Sequence, residues 1–355
     1  MVKINEWLLP LSWLYGVGSD IRNLLFDMGV LSSKTYDIPI ISVGNITVGG
    51  TGKTPHIEYL IRLLSPLFRV AVLSRGYKRR SRGYVLAQAD TPMEDIGDEP
   101  WQIKQKFPEV YVAVDRNRRN GIETLLSDGR THDVQVILLD DAFQHRYVIP
   151  KLNILLIDYH RMITDDKLLP AGRLRERASN KTRANMVIVT KCPRDITPMG
   201  CRVVQQSLHL KPFQGLYFST YRYGSMKKLF GDGEMCLEQL RKDNMHMLLL
   251  SGIGSPQQLE QDMRKYVQHV TPLTYPDHHY FTRKDADTIN RTAQQMEKPM
   301  IIVTTEKDAS RLKNLEGLDE NVHNNIFVLP IKIEILKEKE TILNEQIINY
   351  VHENP

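Results

Sequence analysis

Short apolar runs alternate with helical stretches along the first two-thirds of the chain. Polar or glycine-containing segments bound these runs, as expected for the buried strands of a sheet. The predicted strands are 40–43, 70–74, 110–114, 136–139, 154–157 and 186–189, and the predicted helices are 53–64, 101–106 and 117–126. Apolar strands that alternate with helices indicate a mostly parallel sheet with helices on both faces.

The alternation restarts after residue 215. The predicted strands of this part are 216–220, 247–250, 270–273, 300–304 and 326–331, and its predicted helices are 256–266 and 284–296. The polar segment 211–215, which contains a proline and a glycine, interrupts the pattern between the two parts. We therefore expect an α/β core at residues 31–215 and a second, smaller α/β domain at residues 216–355.

The N-terminal segment 1–30 has a pattern of its own. Its apolar run at 7–17 contains two of the three tryptophans, but a membrane span needs roughly 20 apolar residues. Glu6 interrupts what would be a signal peptide. Apolar residues recur at helical spacing between 21 and 28. Two interpretations remain open, a helix that packs on the core and an amphipathic helix that lies in a membrane interface.

Composition narrows the class of protein. Of 355 residues, 41% are hydrophobic and 25% are charged, as in soluble globular proteins. The net charge of +5 suits an anionic substrate or a membrane surface and does not require nucleic acid. The three cysteines do not have the spacing of metal ligands. Their odd number argues against a disulfide framework, which favours a reducing cytosol as the location of the protein.

A glycine-rich segment follows the first predicted strand and precedes the first helix. Its residues are Gly49, Gly50, Thr51, Gly52, Lys53 and Thr54. In nucleotide-binding loops of this kind the backbone amides close on phosphate oxygens, the lysine reaches the β- and γ-phosphates, and the threonine hydroxyl holds Mg²⁺. The full pattern has a glycine where this chain has Thr47. The segment nevertheless predicts a P-loop NTPase-like core.

Two acidic pairs are candidates for chemistry. Asp140 and Asp141 end an apolar strand, where a carboxylate beside a phosphate loop can hold Mg²⁺. Asp98 and Glu99 precede a predicted helix. Asp98 can serve as a helix N-cap, or it can take the proton from a hydroxyl that attacks a phosphate. Taken alone, these residues favour the cap.

Imidazole and basic clusters complete the candidates. The cluster 277–281 contains two adjacent histidines, one of which could pair with a carboxylate as an acid–base element. Basic residues crowd the segments 75–82, 116–119 and 173–183, and most charge runs are solvated faces. Within the third run, Arg175 beside Glu176 could meet a phosphate and its metal together.

Taken together, these motifs resemble the tetraacyldisaccharide 4'-kinases, the lipid A 4'-kinases of Gram-negative bacteria. The shared residues are 42–45, 49–55, 74–77, 97–100, 140–145, 170–176, 277–278 and 305–308. They follow the family order across nearly the whole chain. The most specific strings are Asp-Asp-x-Phe-Gln-His at 140–145 and Gly-Asp-Glu-Pro at 97–100. The family, like this chain, has no glycine at the position of Thr47.

The resemblance implies transfer of the ATP γ-phosphate to the 4'-hydroxyl of tetraacyldisaccharide 1-phosphate, a lipid-linked disaccharide. It implies ATP and Mg²⁺ as cofactors and a peripheral protein on the cytoplasmic face of the bacterial inner membrane. The smaller domain is then expected to contribute to the substrate cleft, and segment 1–30 to contact the membrane surface. No nucleic acid and no obligate protein partner are expected.

The resemblance also implies roles for individual residues. Asp98 resembles the general base, His278 the residue that orients or tunes it, and Lys53 the cation that neutralises the β- and γ-phosphates. The candidate Mg²⁺ ligands are Thr54, Asp140, Gln144 and Glu176. The residues expected to position substrate or stabilise transferred charge are Arg75, Tyr77, Glu99, Asp141 and Arg175.

Two other functions remain as alternatives. A P-loop switch ATPase or GTPase of the metal-chaperone or partner-sorting type also uses a Gly-Gly-x-Gly-Lys-Thr loop. Such switch proteins commonly have a lysine where this chain has Val48, and the chaperones tend to carry clustered cysteine or histidine ligands that this chain lacks. A cytosolic kinase for a small soluble sugar is the third candidate, and it would not bind liposomes.

Overall fold

Strands and helices alternate along the chain in the computed structural model, which describes residues 4–354. The strands are β1 Ile40–Gly44, β2 Val70–Ser74, β3 Val85–Leu86, β4 Tyr111–Val114, β5 Val136–Asp140, β6 Leu152–Asp158, β7 Met186–Thr190, β8 Gly215–Tyr223, β9 Met226–Lys228, β10 Glu234–Met235, β11 His246–Ser251, β12 His269–Thr274, β13 Met300–Thr305, β14 Ile326–Leu329 and β15 Ile331–Ile335. The helices are α1 Leu9–Asp27, α2 Lys53–Leu64, α3 Met93–Ile96, α4 Asp98–Lys106, α5 Arg118–Ser127, α6 Pro198–Leu208, α7 Leu237–Lys242, α8 Pro256–Met263, α9 Arg283–Gln294, α10 Glu306–Leu312, α11 Glu320–Asn324 and α12 Glu340–His352. Short 3-10 helices lie at Glu6–Leu8 and Ala178–Arg183.

The larger sheet has the strand order β15-β8-β7-β6-β1-β5-β2-β4-β3. From β8 to β4 the neighbouring strands run parallel, and β3 pairs antiparallel with β4. The carboxyl ends of the parallel strands therefore share one edge of the sheet, where ligands of open α/β sheets bind. The predicted α/β class with a mostly parallel sheet is confirmed.

Helices cover both faces of this sheet. Alternate residues of a strand point to opposite faces of the sheet, so the side chains of β1 pack in two different cores. Ile41 and Val43 pack in a core with side chains of α2, α4 and α12, whereas Ile40 packs in another core with side chains of α5. Side chains of β6 and β7 form a further core with α6. Because both faces of the sheet are buried, the strands are apolar throughout. For this reason they could be predicted from the sequence.

Helix α2 carries a buried histidine that ties it to β8. The Nδ1 atom of His56 lies 2.7 Å from the Gly52 carbonyl oxygen, and its Nε2 atom lies 3.1 Å from Ser219 Oγ. A carbonyl oxygen can only accept, so Nδ1 carries the proton and Nε2 accepts from the serine hydroxyl. Burial lowers the pKa of His56 to about 4. The ring is therefore neutral in the folded protein at neutral pH.

Acid is expected to destabilise the fold through His56. An unfolded histidine titrates near pH 6.5, so between that value and the folded pKa of about 4 the unfolded chain binds more protons. The stability that neutral His56 contributes is complete above about pH 6.5 and is lost as the pH falls through 4. Urea unfolding at several pH values should show His56→Gln losing roughly 3 kcal/mol less than the wild type on acidification. Equal losses in the two proteins would contradict this account.

The smaller sheet belongs to a separate unit of the chain. Its strand order is β10-β9-β14-β13-β11-β12, with β14, β13, β11 and β12 parallel and the hairpin β9–β10 antiparallel at its edge. One core joins β11, β13 and β14 to α8, and another joins β11 and β13 to α9. This unit spans Arg222–Lys332.

The division of the chain differs from the sequence prediction at both ends of the second domain. The first unit combines the residues up to Tyr221 with those from Ile333 onward, so residues 216–221 and 333–355, which we assigned to the second domain, belong to the first. Residues 216–221 lie in β8, which pairs with β7 in the larger sheet. Residues 333–355 include helix α12, whose buried Leu343, Ile347 and Val351 pack on the core of the same sheet.

The predicted strand 326–331 is also wrong, because it is two strands in two sheets. β14 ends at Leu329, and β15 begins at Ile331. Pro330 lies between them and has no backbone N–H to donate, so it interrupts a ladder of hydrogen bonds. Its carbonyl oxygen accepts from Gly224 N at 3.0 Å. The proline thus marks the point where the chain leaves the smaller sheet and returns to the larger one.

The N-terminal segment forms the 3-10 turn and helix α1. The buried residues of α1 are Ser12, Gly16, Asn23 and Phe26. Its exposed large apolar residues, with those flanking it, are Trp7, Leu9, Leu11, Trp13, Leu14, Tyr15, Ile21, Leu24, Met28 and Val30. One face therefore packs on the protein, as the first of the two interpretations predicts. Among the described residues 4–354, none of the helices has the length and apolar character needed to cross a membrane.

Candidate active site

The phosphate loop joins β1 to α2. Gly49 has φ +117° and Gly52 has φ +87°, a backbone region that favours glycine. A Cβ atom at Gly52 would also lie 2.7 Å from Tyr221 Oη. Helix α2 begins at Lys53 directly after this glycine, so its first backbone amides and its positive dipole end face the loop. The loop therefore has the conformation that an anion-binding cradle requires.

Polar side chains outside the motif hold the loop in place. Asn45 Nδ2 donates to Thr51 Oγ1 at 2.7 Å, and Thr190 Oγ1 donates to the Thr51 carbonyl at 3.0 Å. Lys191, buried and at φ +56°, donates through Nζ to the Gly50 carbonyl and pairs with Asp158 Oδ2 at 2.6 Å. Sequence reasoning named Asn45 within a motif but missed Thr190, Lys191 and Asp158, although Lys191 directly follows an apolar strand as Asp141 does.

Replacement of Lys191 by methionine is expected to raise the KM for ATP. The variant frees the Gly50 carbonyl and leaves the Asp158 carboxylate unpaired close to the loop, where it repels phosphate. A charged hydrogen bond contributes about 1.5–3 kcal/mol, so the KM should rise by roughly tenfold or more. Initial rates against ATP concentration measure this effect. Lys151→Met, which removes an exposed lysine at the opposite end of β6, is the matched control. An unchanged KM in Lys191→Met would overturn the assignment.

Two aspartates at the end of β5 face the loop from the neighbouring strand. Asp141 has φ +48°, an uncommon conformation for a residue with a side chain. Its carboxylate lies 3.6 Å from Lys53 Nζ and 3.3 Å from Arg175 Nη1. Burial alone would raise the pKa of Asp141, but these two cations outweigh it and lower the pKa. The structure therefore joins the lysine of the loop, the strand-end carboxylate and the arginine in one charge cluster.

Asp140 is buried, and its carboxylate has fewer polar partners than that of Asp141. Ser74 Oγ donates to its Oδ2 at 3.1 Å, whereas Oδ1 has no hydrogen-bond partner among the described residues. Burial, followed by the negative charges of Glu99 and Asp141, raises the pKa of Asp140 to about 7. A buried carboxylate with a vacant oxygen and anionic neighbours fits a divalent cation, which would remove this electrostatic cost.

Arg118 supports the same strand end from behind. Its Nη2 atom donates to the Asp140 carbonyl at 3.0 Å, and its Nη1 atom donates to the Asp115 carbonyl at 2.9 Å. Burial, opposed by Asp140 and Asp141 and aided by Arg75, lowers the pKa of Arg118 to about 10. The basic run 116–119 therefore contains a buried residue and is more than the solvated face we expected.

Of the other proposed metal ligands, Gln144 lies at the cluster, and Glu176 is bound by other side chains through Oε2, whereas its Oε1 atom is buried without a hydrogen-bond partner among the described residues. Gln144 Oε1 lies 3.5 Å from Arg175 Nη1, and its Nε2 atom donates to the Asn45 carbonyl at 2.6 Å. Glu176 is buried, and its Oε2 atom accepts from Asn180 and pairs with Arg183. In residues 4–354, no group of three or more histidine, cysteine, aspartate or glutamate side chains is arranged to hold a metal.

The second acidic pair opens helix α4. Gly97, at φ +90°, is the N-cap, and Asp98 is the first helical residue, so the interpretation of Asp98 as the cap is wrong. A Cβ atom at Gly97 would lie 2.9 Å from the Tyr77 carbonyl oxygen, so glycine permits close contact with the loop that carries Arg75 and Tyr77. Asp98 Oδ1 accepts from Glu99 N at 3.0 Å. The electrostatic coupling of Glu99 to Asp140 connects this helix start to the charge cluster.

His278 lies in the second unit, in a basic environment. Its Nε2 atom lies 3.1 Å from Lys307 Nζ, and its Nδ1 atom lies 3.5 Å from an Arg311 Nη atom. The segment 305–308 builds this environment, because the buried Asp308 pairs with Arg311 at 3.3 Å. His279 differs, since its Nε2 atom lies 3.0 Å from Asp285 Oδ2. Of the two histidines, His278 is the one surrounded by the motif residues.

A glycine loop between strand and helix, a lysine at the start of that helix and paired carboxylates on the next strand define a P-loop enzyme that acts on nucleotide phosphates. The family model for tetraacyldisaccharide-1-P 4'-kinase matches residues 4–351. The chain therefore belongs to this family, whose members are ATP-dependent kinases.

Similar proteins agree with this membership. The tetraacyldisaccharide 4'-kinase of Phocaeicola vulgatus is 52% identical, with 100% of this chain and 97% of that protein aligned. The enzyme of the same name from Bacteroides thetaiotaomicron is 48% identical over 99% of this chain and 95% of that one. The crystal structure of LpxK from Aquifex aeolicus in complex with ATP is 28% identical, with a TM-score of 0.72 over 97% of this chain and 98% of that one. The switch ATPase alternative is not favoured.

Proposed function

We propose that this chain transfers the γ-phosphate of ATP to the 4'-hydroxyl of tetraacyldisaccharide 1-phosphate in lipid A biosynthesis. Membership of the kinase family over residues 4–351 carries this proposal. The charge cluster supports it, because phosphoryl transfer requires mainly positioning and neutralisation of charge. A phosphate held at the loop would face Lys53, while Arg175 is held beside it by Asp141.

The proposed metal ligands are Thr54, Asp140, Gln144 and Glu176. Thr54 follows the loop lysine, and Asp140 Oδ1 and Glu176 Oε1 are buried oxygens without a hydrogen-bond partner among the described residues. Gln144 donates to the Asn45 carbonyl through Nε2, so its oxygen is directed to the charge cluster, 3.5 Å from Arg175 Nη1. Bound Mg²⁺ would supply neutralisation of the phosphate oxygens.

Asp98 is the proposed general base. Its carboxylate is half-buried at the start of α4, where the backbone amide of Glu99 holds one oxygen. The Asp98 carboxylate is the proposed acceptor of the proton of the attacking hydroxyl. His278 remains the predicted partner of this base, and Arg75, Tyr77 and Glu99 remain predicted positioning residues.

We also propose that the protein acts at the cytoplasmic face of the bacterial inner membrane. Helix α1 and the turn before it expose Trp7, Trp13 and Leu14, with exposed fractions of 94%, 66% and 59%. Such a concentration of exposed tryptophan and leucine is typical of helices that lie in a bilayer interface. An acyl-linked acceptor is available at that surface. The proposed occupant of this face is therefore the bilayer.

A kinase assay with the disaccharide tests the function. Purified protein, γ-labelled ATP, Mg²⁺ and tetraacyldisaccharide 1-phosphate in mixed micelles should give a glycolipid labelled at the 4'-position. Hydrolysis of ATP without labelled glycolipid, together with nucleotide-dependent dimerisation, would instead support the switch ATPase. Turnover of a small sugar by protein that does not sediment with liposomes would support the soluble sugar kinase.

A further inference from the structure

Helix α1 is fastened to two loops that carry proposed active-site residues. We define the arginine loop as residues 168–177, which include Arg175, and the glutamine turn as residues 142–147, which include Gln144. The two loops follow β6 and β5, respectively, and both belong to the first unit. Side chains from both halves of α1 form hydrogen bonds with these loops.

The N-terminal half of α1 holds the arginine loop. Ser12 Oγ donates to the Leu168 carbonyl and accepts from Ala171 N, both at 2.9 Å. A Cβ atom at Gly16 would lie 2.7 Å from Leu168 Cδ1, so the glycine allows the helix to approach this closely. Tyr15 Oη donates to the Arg175 carbonyl at 2.9 Å.

The C-terminal half of α1 holds the glutamine turn. Arg22 donates through Nη2 to the Gln144 carbonyl at 3.1 Å. Arg146 donates to the Asn23 carbonyl at 2.9 Å and forms an ion pair with Asp27. The rings of Phe26 and Tyr147 meet edge to face with centroids 4.9 Å apart. The backbones of Gln144 and Arg175 are thus held by the same helix.

We propose that Tyr15 and Arg22 are positioning residues through which membrane contact aligns the active site. Their hydrogen bonds hold the backbones of Arg175 and Gln144, and the Arg175 side chain contacts both Gln144 and Asp141. The opposite side of the helix exposes Ile21 and Leu24 to the proposed interface. Insertion of that face into lipid restrains the helix, and the restrained helix orders both loops.

This inference rests on the proposed membrane contact and kinase activity, and it makes a distinct claim. A helix that only anchors the protein raises the concentration of enzyme near its lipid substrate. A helix that also orders the loops raises the turnover number of the bound enzyme. Vesicle binding and kcat therefore separate the two roles.

The test compares two kinds of α1 variant. Arg22→Ala and Tyr15→Phe remove the hydrogen bonds to the loops, whereas Ile21→Ser with Leu24→Ser removes apolar surface from the exposed side. Arg130→Ala, which removes an exposed arginine paired with Asp128, is the matched control. Each full-length protein is assayed for sedimentation with phosphatidylethanolamine–phosphatidylglycerol vesicles, for kcat in mixed micelles, and for amide hydrogen exchange.

The two kinds of variant should give opposite results. Arg22→Ala should bind vesicles like the wild type and lose about tenfold in kcat, and Tyr15→Phe should lose several-fold. In the wild type, vesicles should slow amide exchange in the arginine loop and the glutamine turn, and Arg22→Ala should lose this effect. The apolar-face variant should sediment less, and Arg130→Ala should match the wild type.

Two outcomes would overturn the inference: wild-type kcat in both hydrogen-bond variants, or vesicle-dependent protection that is the same in Arg22→Ala and the wild type. A wild-type protein that never labels the disaccharide would instead contradict the proposed kinase function. The exchange measurement with vesicles requires no substrate, so it tests the coupling of helix and loops separately.

Discussion

Asp98→Asn is expected to lower kcat by about two to four orders of magnitude. The asparagine has the same shape and can still accept from the Glu99 amide, but it cannot take a proton from the acceptor hydroxyl. A sugar hydroxyl is a weak nucleophile near neutral pH, so loss of the base slows the chemical step. Steady-state kinetics with the disaccharide should show a large loss in kcat and a small change in both KM values.

Asp95→Asn is the matched control for Asp98→Asn. Asp95 lies one turn earlier, in α3, and is half-buried like Asp98. Its replacement should leave kcat near the wild-type value. An Asp98→Asn variant that retains wild-type kcat would exclude Asp98 as the base.

Lys53→Met is expected to reduce kcat/KM for ATP by about a hundredfold to a thousandfold. The lysine lies 3.6 Å from Asp141, so its removal deletes the cation that faces the phosphates and weakens the restraint on that carboxylate. With Arg175 left as the remaining cation in contact with Asp141, the site becomes more negative where a polyanion must bind. Calorimetric titration with ATP and initial-rate kinetics measure the binding and chemical parts of the loss.

A double variant separates these two effects of Lys53. Lys53→Met combined with Asp141→Asn removes one charge of each sign, so it should restore part of the ATP affinity but little of kcat. Equal kcat/KM in the wild type and Lys53→Met would contradict the role of this lysine. Affinity that falls further in the double variant would show that Asp141 attracts the nucleotide by another route, such as the metal.

The strands and the phosphate loop could be predicted because their signals are local. β2 and α2 have the predicted boundaries, since an apolar strand, a glycine turn and an amphipathic helix each depend on neighbouring residues. The split at Pro330 was missed because Ile331 continues the apolar run across the proline, although Ile331–Ile335 alternates isoleucine with Lys332 and Glu334. Which sheet each strand joins depends on partners that are distant in sequence, since β15 lies beside β8 with the whole second unit between them in the chain.

The candidate site residues that could be predicted are also those with a local sequence signal, and the ones that could not depend on partners distant in the chain. Motif residues such as Lys53 and Asp141 were named from the sequence, and the structure brings them together. Lys191 was missed because its role depends on reaching the Gly50 carbonyl across 141 residues of chain. Glu176 stays a predicted metal ligand, and its ion pair with Arg183 could not be foreseen because it depends on a side-chain direction that spacing does not specify.

The return of the chain through β15 makes the second unit an insertion. Residues 222–332 leave the first unit after β8 and rejoin it at β15, and these two strands are neighbours in the larger sheet. An inserted segment whose two ends lie side by side can be gained, lost or exchanged without rerouting the host chain. Evolution and protein engineering can therefore vary the unit that carries His278 while the phosphate loop keeps its own scaffold.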